Sequence, residues 1–440
     1  MNRMLLWALL ALTSCTAAPA FAQTESGCGT TAIPKADANS VAKLSTQTAC
    51  FTKAGASASK AAADRQARLK AITAVPAPAP TSTPSPTPPP IAVTPAPIAT
   101  GPRFEVGINV QKTYVDEMAA FKVLRFLDWS NTNGNPASIT LDNRTTPTRR
   151  GMDGVAIETQ IDLANAAGTD AWFTIAYNAD EAYVRAMGEL ARDRLGKGQR
   201  AYFELSNEVW NYGFPVARQA SDEGSKQTPP LSADYYSNNP LRYAQKAIGF
   251  HKILTDVFKA EPSRLVRVVA SHSDNSCSGR TIMGFRDLAR YTDALAIAPY
   301  FGHSFFSAPD DKPTMADLDR LFVKLEAQRV NAIAKAKENK ATADKYGKRL
   351  IAYEGGQHIV PNNLTVQNEV YTAMQRDPRM GVLYDRYLAD WKAINPDLFT
   401  VYSATGSISQ YGAWGIREYA GQPVGETPKR RAVLDAIPRP

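Results

Sequence analysis

Two glutamates, Glu208 and Glu354, share one sequence setting. Each closes a short apolar run: Ala201-Tyr202-Phe203-Glu204-Leu205-Ser206-Asn207-Glu208 in one case and Arg349-Leu350-Ile351-Ala352-Tyr353-Glu354 in the other. Such runs predict buried parallel strands, and their carboxyl ends are where α/β enzymes keep reactive groups. A carboxyl pair at that place suits acid/base work. Cleavage of a glycosidic bond needs it in particular, with one carboxyl protonating the leaving oxygen and the other acting at the anomeric carbon. The two glutamates lie 146 residues apart, so nothing local can pair them. Only a fold that gathers strand ends into one cup would do so.

The elements between them predict such a fold. From Arg103 onward, apolar runs alternate with amphipathic stretches. The candidate strands are Phe104–Val110, Val123–Asp128, Ala171–Tyr177, Ala201–Ser206, Leu265–Ser271, Ala294–Pro299, Leu350–Tyr353 and Leu398–Tyr402. The clearest helical stretches are Gly154–Ala167, Glu181–Leu195, Leu241–Lys259, Met315–Asn339 and Val370–Ile394. Eight βα units predict an α/β (β/α)8 TIM barrel over 103–440, with Glu208 after the fourth strand and Glu354 after the seventh. The runner-up, an open doubly wound sheet, would carry a Gly-rich phosphate turn after its first strand. Phe104-Glu105-Val106-Gly107-Ile108-Asn109 contains none.

On these residues the chain resembles the large clan of retaining (β/α)8 glycoside hydrolases, in which an Asn-Glu pair ends strand four and a Glu ends strand seven. The resemblance implies Glu208 as general acid/base, Glu354 as nucleophile and Asn207 as the group that bonds the sugar 2-hydroxyl. It further implies Arg125 and Tyr300 beside the nucleophile and Trp414 as the platform under the sugar. His272, ending the fifth strand, either lines the cleft or is a plain loop histidine; His303 and His358 have weaker claims. Trp129, Trp210, Tyr212, Tyr235 and Tyr236 follow strands two and four, where rings could stack on sugar faces. The long segments 130–153 and 211–240 are expected to wall the cleft, which favours internal cutting of a polymer. Tyr353-Glu354-Gly355-Gly356-Gln357-His358 is not the nucleophile context of the best-known cellulases, so substrate and linkage stay open. The competing class is a non-catalytic polysaccharide-binding or envelope-scaffold protein on a barrel frame.

The amino-terminal quarter has another character. A charged start, the apolar run Met4–Leu12 and Ala20-Phe21-Ala22 predict a signal peptide over 1–22 and export to the periplasm or beyond. The alternative is lipid anchoring through Cys15 in Leu12-Thr13-Ser14-Cys15. Residues 23–75 are rich in Ala, Ser, Thr and Lys, with Cys28 and Cys50 close enough to suggest a disulfide in an exported chain. Eleven prolines over 76–102 predict an extended spacer.

The formal charge of +8 does not imply nucleic acid. Arg3 and the seven bases against three acids of residues 23–75 supply five of those charges, leaving +3 from Arg103 onward. The basic piece could meet an acidic envelope polymer or simply be solvated. There is no His-Glu-x-x-His and no Gly-x-Ser-x-Gly, and the four histidines (His251, His272, His303, His358) lack metal-ligand spacing. The expected partner is a polysaccharide or oligosaccharide, with no cofactor and no metal.

Overall fold

The computed structural model describes residues 112–149, 151, 154–303, 305–306, 313–361, 368–394, 397–409 and 411–437. The expected signal peptide, the Cys28–Cys50 disulfide, Cys15, the proline spacer and the first strand Phe104–Val110 lie outside these residues. Within them, six strands form one all-parallel sheet in sequential order: β1 (Val123–Arg125), β2 (Asp170–Ile175), β3 (Ala201–Leu205), β4 (Leu265–Ala270), β5 (Ala294–Ile297) and β6 (Arg349–Ala352). Glu208 therefore follows β3 and Glu354 follows β6.

Helices take up the connections: α1 (Lys112–Met118), α2 (Ile157–Ala167), α3 (Glu181–Arg194), α4 (Pro215–Ser225), α5 (Asn238–Val257), α6 (Ser276–Met283), α7 (Leu318–Lys345), α8 (Asn368–Arg376), α9 (Pro378–Ile394) and α10 (Pro428–Ala436). Their ends follow local chemistry. Asp180 caps α3 by accepting from the Tyr183 amide at 2.7 Å, and Gly168 ends α2 with a left-handed φ of 67°.

Strict alternation along the strands sorts side chains into two layers. Ala171, Phe173, Ile175, Ala201, Phe203, Leu205, Leu295, Ile297 and Leu350 face outward into the main core beneath the helices. Val123, Trp172, Tyr202, Val266, Val268, Ala294, Ala296, Ile351 and Tyr353 face the other way and form a second, separate cluster. That cluster is the inside of a curve. In a flat sheet β1 and β6 would stand about 24 Å apart, at about 4.8 Å per strand. Yet Arg125 at the end of β1 donates to Glu354 just past β6 at 2.7 Å. The sheet is thus curled around its inner side chains as the parallel wall of an α/β TIM-barrel-like fold.

Three expectations change. The strand Leu398–Tyr402 is reduced to a single parallel bridge, Phe399 against Ala352, held by Ala352 N to Leu398 O at 3.0 Å and Thr400 N to Ala352 O at 3.1 Å. The helix over Val370–Ile394 is two helices, because Pro378 has no amide to donate and drives Asp377 out of helical geometry. The wall at 211–240 is not one loop: its apolar face, Val216, Ala217 and Ala220, folds as α4 and packs on α5. No helix among the described residues is long and apolar enough to cross a membrane.

Candidate active site

β3 does not simply run out. Ser206 keeps its amide on the ladder, donating to the Ile175 carbonyl at 2.6 Å, and then the backbone turns through left-handed values at Ser206 (φ 62°) and Glu208 (φ 43°). Side chains other than glycine adopt such values at a cost on the order of 1–2 kcal/mol each. Here the turn brings Glu208, half-buried, into the mouth of the curved sheet. Its two oxygens are held by neutral donors: Tyr353 Oη to Oε1 at 3.0 Å and Asn211 Nδ2 to Oε2 at 2.8 Å. Loss of solvent raises its carboxyl to about 7, with the Glu354 charge adding to the effect and the two donors working against it.

The β6 end is built differently. Glu354, 7% exposed, is followed by Gly355 and Gly356. A Cβ on Gly355 would stand 2.3 Å from the Phe399 ring, and one on Gly356, whose φ is 132°, would stand 2.6 Å from Tyr384 Oη. The glycine pair lets the chain turn tightly under the mouth. Glu354 Oε1 accepts from Arg125 Nη1 at 2.7 Å and Oε2 accepts from Tyr300 Oη at 2.9 Å. Burial and the charges of Glu354 and Glu208 push the Tyr300 phenol well above its ordinary value, so it stays a donor.

Arg125 joins the two ends. Besides Glu354, its guanidinium donates to Asn207 Oδ1 at 2.8 Å and to Glu204 Oε2 through both Nε (3.1 Å) and Nη2 (2.9 Å). Its plane also packs near the rings of Trp172 and Tyr353, 5.4 and 5.0 Å from their centroids. Burial opposes this charge, but Glu204 and Glu354 outweigh it and hold the group firmly protonated. Asn207 is engaged at both ends of its amide, since Nδ2 donates to Asn133 Oδ1 at 2.9 Å. Asn133 in turn hangs from Asp128, whose carboxylate accepts from the Thr132 and Asn133 amides at 2.6 and 3.2 Å.

Aromatic side chains rim the pair. Tyr300, His303, His358 and Trp414 form a chain of ring contacts, with centroids 5.2 Å apart for Tyr300–His358, 4.1 Å for His303–His358 and 5.4 Å for His358–Trp414. Trp414 reaches this position because its segment returns alongside Ser403, with Ser403 N to Trp414 O at 3.1 Å. Loss of solvent and the His303 imidazole push His358 down to about 3, so it is a neutral hydrogen-bonding ring at ordinary pH. His272 and Trp210 pack together at 4.2 Å, and loss of solvent lowers His272.

The geometry thus gathers Glu208, Glu354, Asn207, Arg125, Tyr300 and Trp414, with His272 and Trp210 at one side. Trp129 is not on the rim; it packs against Phe126 at 5.2 Å and on the main core. Tyr212, Tyr235 and Tyr236 pack edge-on to one another in a cluster where α4 meets α5, and Tyr212 Oη lies 2.6 Å from Ser221 Oγ. The sequence does not single out Glu204, Tyr353, Asn211 or Asn133 as parts of this site, and His303 and His358, whose claims are weaker than that of His272, stand in its ring of aromatic contacts. Glu204 and Tyr353 had a signal, since each sits at an inward-facing strand position where a barrel expects an apolar side chain. Among the described residues no three His, Cys, Asp or Glu side chains are grouped to hold a metal ion.

No protein-family model matches the chain, and no curated protein matches it by sequence. Among solved structures it is similar to the GH51 arabinofuranosidase from Xanthomonas axonopodis pv. citri, at 14% identity and TM-score 0.46, covering 68% of this chain and 60% of that one. It is also similar to a GH5-4 broad specificity endoglucanase from Clostridum cellulovorans, at 13% identity and TM-score 0.46, covering 76% and 88%. A family 1 β-glucosidase from Thermotoga maritima gives 14% identity and TM-score 0.42, covering 75% and 86%. The chain spans less than two thirds of the arabinofuranosidase.

Proposed function

We propose that the chain is an exported retaining glycoside hydrolase acting internally on a polysaccharide, by double displacement through Glu208 and Glu354. The observation that carries this reading is the opposite treatment of two carboxyls at one mouth. Glu208 sits among neutral donors with its carboxyl raised to about 7, and Glu354 takes a cationic guanidinium at 2.7 Å and a phenol at 2.9 Å. A carboxyl raised among neutral donors suits the acid, and one set against a cation suits the nucleophile. In the first step a Glu354 oxygen attacks the anomeric carbon, the bond to the leaving oxygen breaks, and that oxygen takes the Glu208 proton. In the second step Glu208 takes a proton from water, the water oxygen attacks the same carbon, and the ester bond to Glu354 breaks. Asn207, oriented by Arg125 and Asn133, would meet the 2-hydroxyl. Trp414, with Tyr300 and His358 beside it, would carry a sugar face.

The test is a screen of plant and bacterial polysaccharides and of aryl glycosides for reducing-end release. For any substrate that is cut, proton NMR of the first-formed anomer follows. Retained configuration and mid-chain products are expected. Inverted configuration would overturn the double displacement, and binding without turnover on every substrate would favour a scaffold or lectin instead. Full-length protein recovered from the cytoplasm with residues 1–22 intact would overturn export.

A further inference from the structure

Glu204 is a charged side chain among the largely apolar inner side chains of the curved sheet, four residues before Glu208 and fully buried. Three donors converge on a single oxygen, Oε2: Arg125 Nε at 3.1 Å, Arg125 Nη2 at 2.9 Å and Trp172 Nε1 at 2.9 Å. Its other oxygen, Oε1, is buried with no hydrogen-bond partner. A carboxylate placed only for stability would satisfy both oxygens or give way to an apolar residue. This one takes two of its three hydrogen bonds from one edge of Arg125, with the Trp172 indole holding the same oxygen in place.

We infer that Glu204 is a positioning residue for the proposed glycosidase chemistry: it grips the Nε/Nη2 edge of Arg125 so that Nη1 alone meets Glu354, and it draws part of the guanidinium charge away from the nucleophile. The grip sets direction. With Nε and one Nη2 proton fixed on Glu204, the remaining Nη2 proton points to Asn207 and Nη1 to Glu354, so one planar fork aligns the groups at both strand ends. The shared charge sets reactivity. A carboxylate monopolising an arginine would be ionised but a poor nucleophile, whereas one that divides the arginine with a second carboxylate keeps more electron density to donate. The other titratable groups facing this floor are Tyr353, Tyr243, Tyr300, Tyr402 and Glu208. All four phenols have raised values and stay neutral, and Glu208 is raised to about 7; burial raises Glu204 as well, opposed by the charge and hydrogen bonds of Arg125, so the guanidinium is the cation that both Glu204 and Glu354 face.

This inference rests on the function proposed above, and its test separates the two. Glu204→Gln keeps the shape and an acceptor for Arg125 but removes the charge. On an aryl glycoside turned over by the wild type, kcat should fall about tenfold while KM stays within about twofold. The acid limb of kcat/KM should move about one pH unit lower, because removing a buried negative charge beside Arg125 leaves the guanidinium charge undivided at the two strand ends. A purely structural residue would lower activity without moving that limb. Glu204→Asp supplies the second variant: its charge is kept but its reach is shortened, so the limb should stay at the wild-type position while kcat falls. An unmoved limb in Glu204→Gln, or a moved one in Glu204→Asp, overturns the role of Glu204 and leaves the glycosidase standing. Absence of turnover by the wild type across the whole screen overturns the glycosidase itself.

Discussion

The tips of β3 and β6 end in the same residue type and treat it in opposite ways. At β3 the strain sits in the backbone, with left-handed φ at Ser206 and Glu208, and the carboxyl receives only a phenol and an amide. At β6 the backbone is relieved by two glycines, and the carboxyl receives a guanidinium and a phenol. On the function proposed above, the difference teaches that the roles of acid and nucleophile are divided largely by neighbours from other strands, Tyr353 at one tip and Arg125 and Tyr300 at the other. Arg125 stands on β1, one strand away from β2 and five from β6, and still sets the environment of Glu354 because the sheet curls.

The hardest blow to that contrast is Glu354→Gln. If the β6 carboxyl is the nucleophile, kcat should fall by at least about a thousandfold while substrate binding, followed by calorimetry, persists. Turnover within tenfold of wild type would erase the distinction between the tips. Glu208→Gln comes next. If Glu208 is the acid, its proton must be present for the leaving oxygen, so wild-type kcat/KM should decline as pH rises through about 7, the value to which burial and Glu354 raise this carboxyl. Glu208→Gln should lose that alkaline limb and roughly a hundredfold to ten-thousandfold in rate on poor leaving groups. Losses on activated aryl leaving groups should be smaller in the glycosylation step. A limb that survives in the variant would place the acid elsewhere.

The third prediction concerns backbone. Gly356→Ala puts a methyl 2.6 Å from Tyr384 Oη at a φ of 132°. That hydroxyl also accepts from the Gln357 amide at 3.0 Å, so it cannot step aside without breaking a buried bond. A loss of roughly 2–3 kcal/mol is expected in denaturant unfolding. Unchanged stability would mean that the glycine pair is not what lets β6 end as it does.

How far the sequence reveals this arrangement follows from the same contrast. The strand runs are legible because a parallel strand buried on both faces is apolar at nearly every position, and all six described strands lie where such runs predict. The two glutamates are legible because their runs stop abruptly in polar residues. Distances between strands are not, since Arg125 gives no local sign of pairing with Glu204 and Glu354, 79 and 229 residues away. His303 and His358 look like loop histidines until the turn at Gly302 and the bridge between Phe301 and Gln357 bring them to 4.1 Å. Trp129 misleads for the converse reason: it follows a strand end, as a rim residue would, but three residues after Phe126 it turns back onto the core. The helix at Pro215–Ser225 is hidden by its polar neighbours and has only three apolar positions to reveal it.

The finest probe of the contrast is Tyr353→Phe, because Tyr353 belongs to one tip and serves the other. It immediately precedes Glu354, yet its hydroxyl donates to Glu208 Oε1 at 3.0 Å. Phenylalanine keeps the ring under the Arg125 guanidinium, now 5.0 Å from the centroid, so the floor of the site should hold. Only the donor to Glu208 is lost. That donor favours the ionised carboxylate and works against the rise caused by burial, so its removal should lift the Glu208 carboxyl further. The alkaline limb of kcat/KM should therefore move up by roughly half a pH unit to one unit, the scale of one hydrogen bond to a carboxylate. The rate below the limb should fall only severalfold, because the proton is still present there. A shift to lower pH would show that Tyr353 holds the protonated form, and an unmoved limb would show that the two tips titrate without reference to each other.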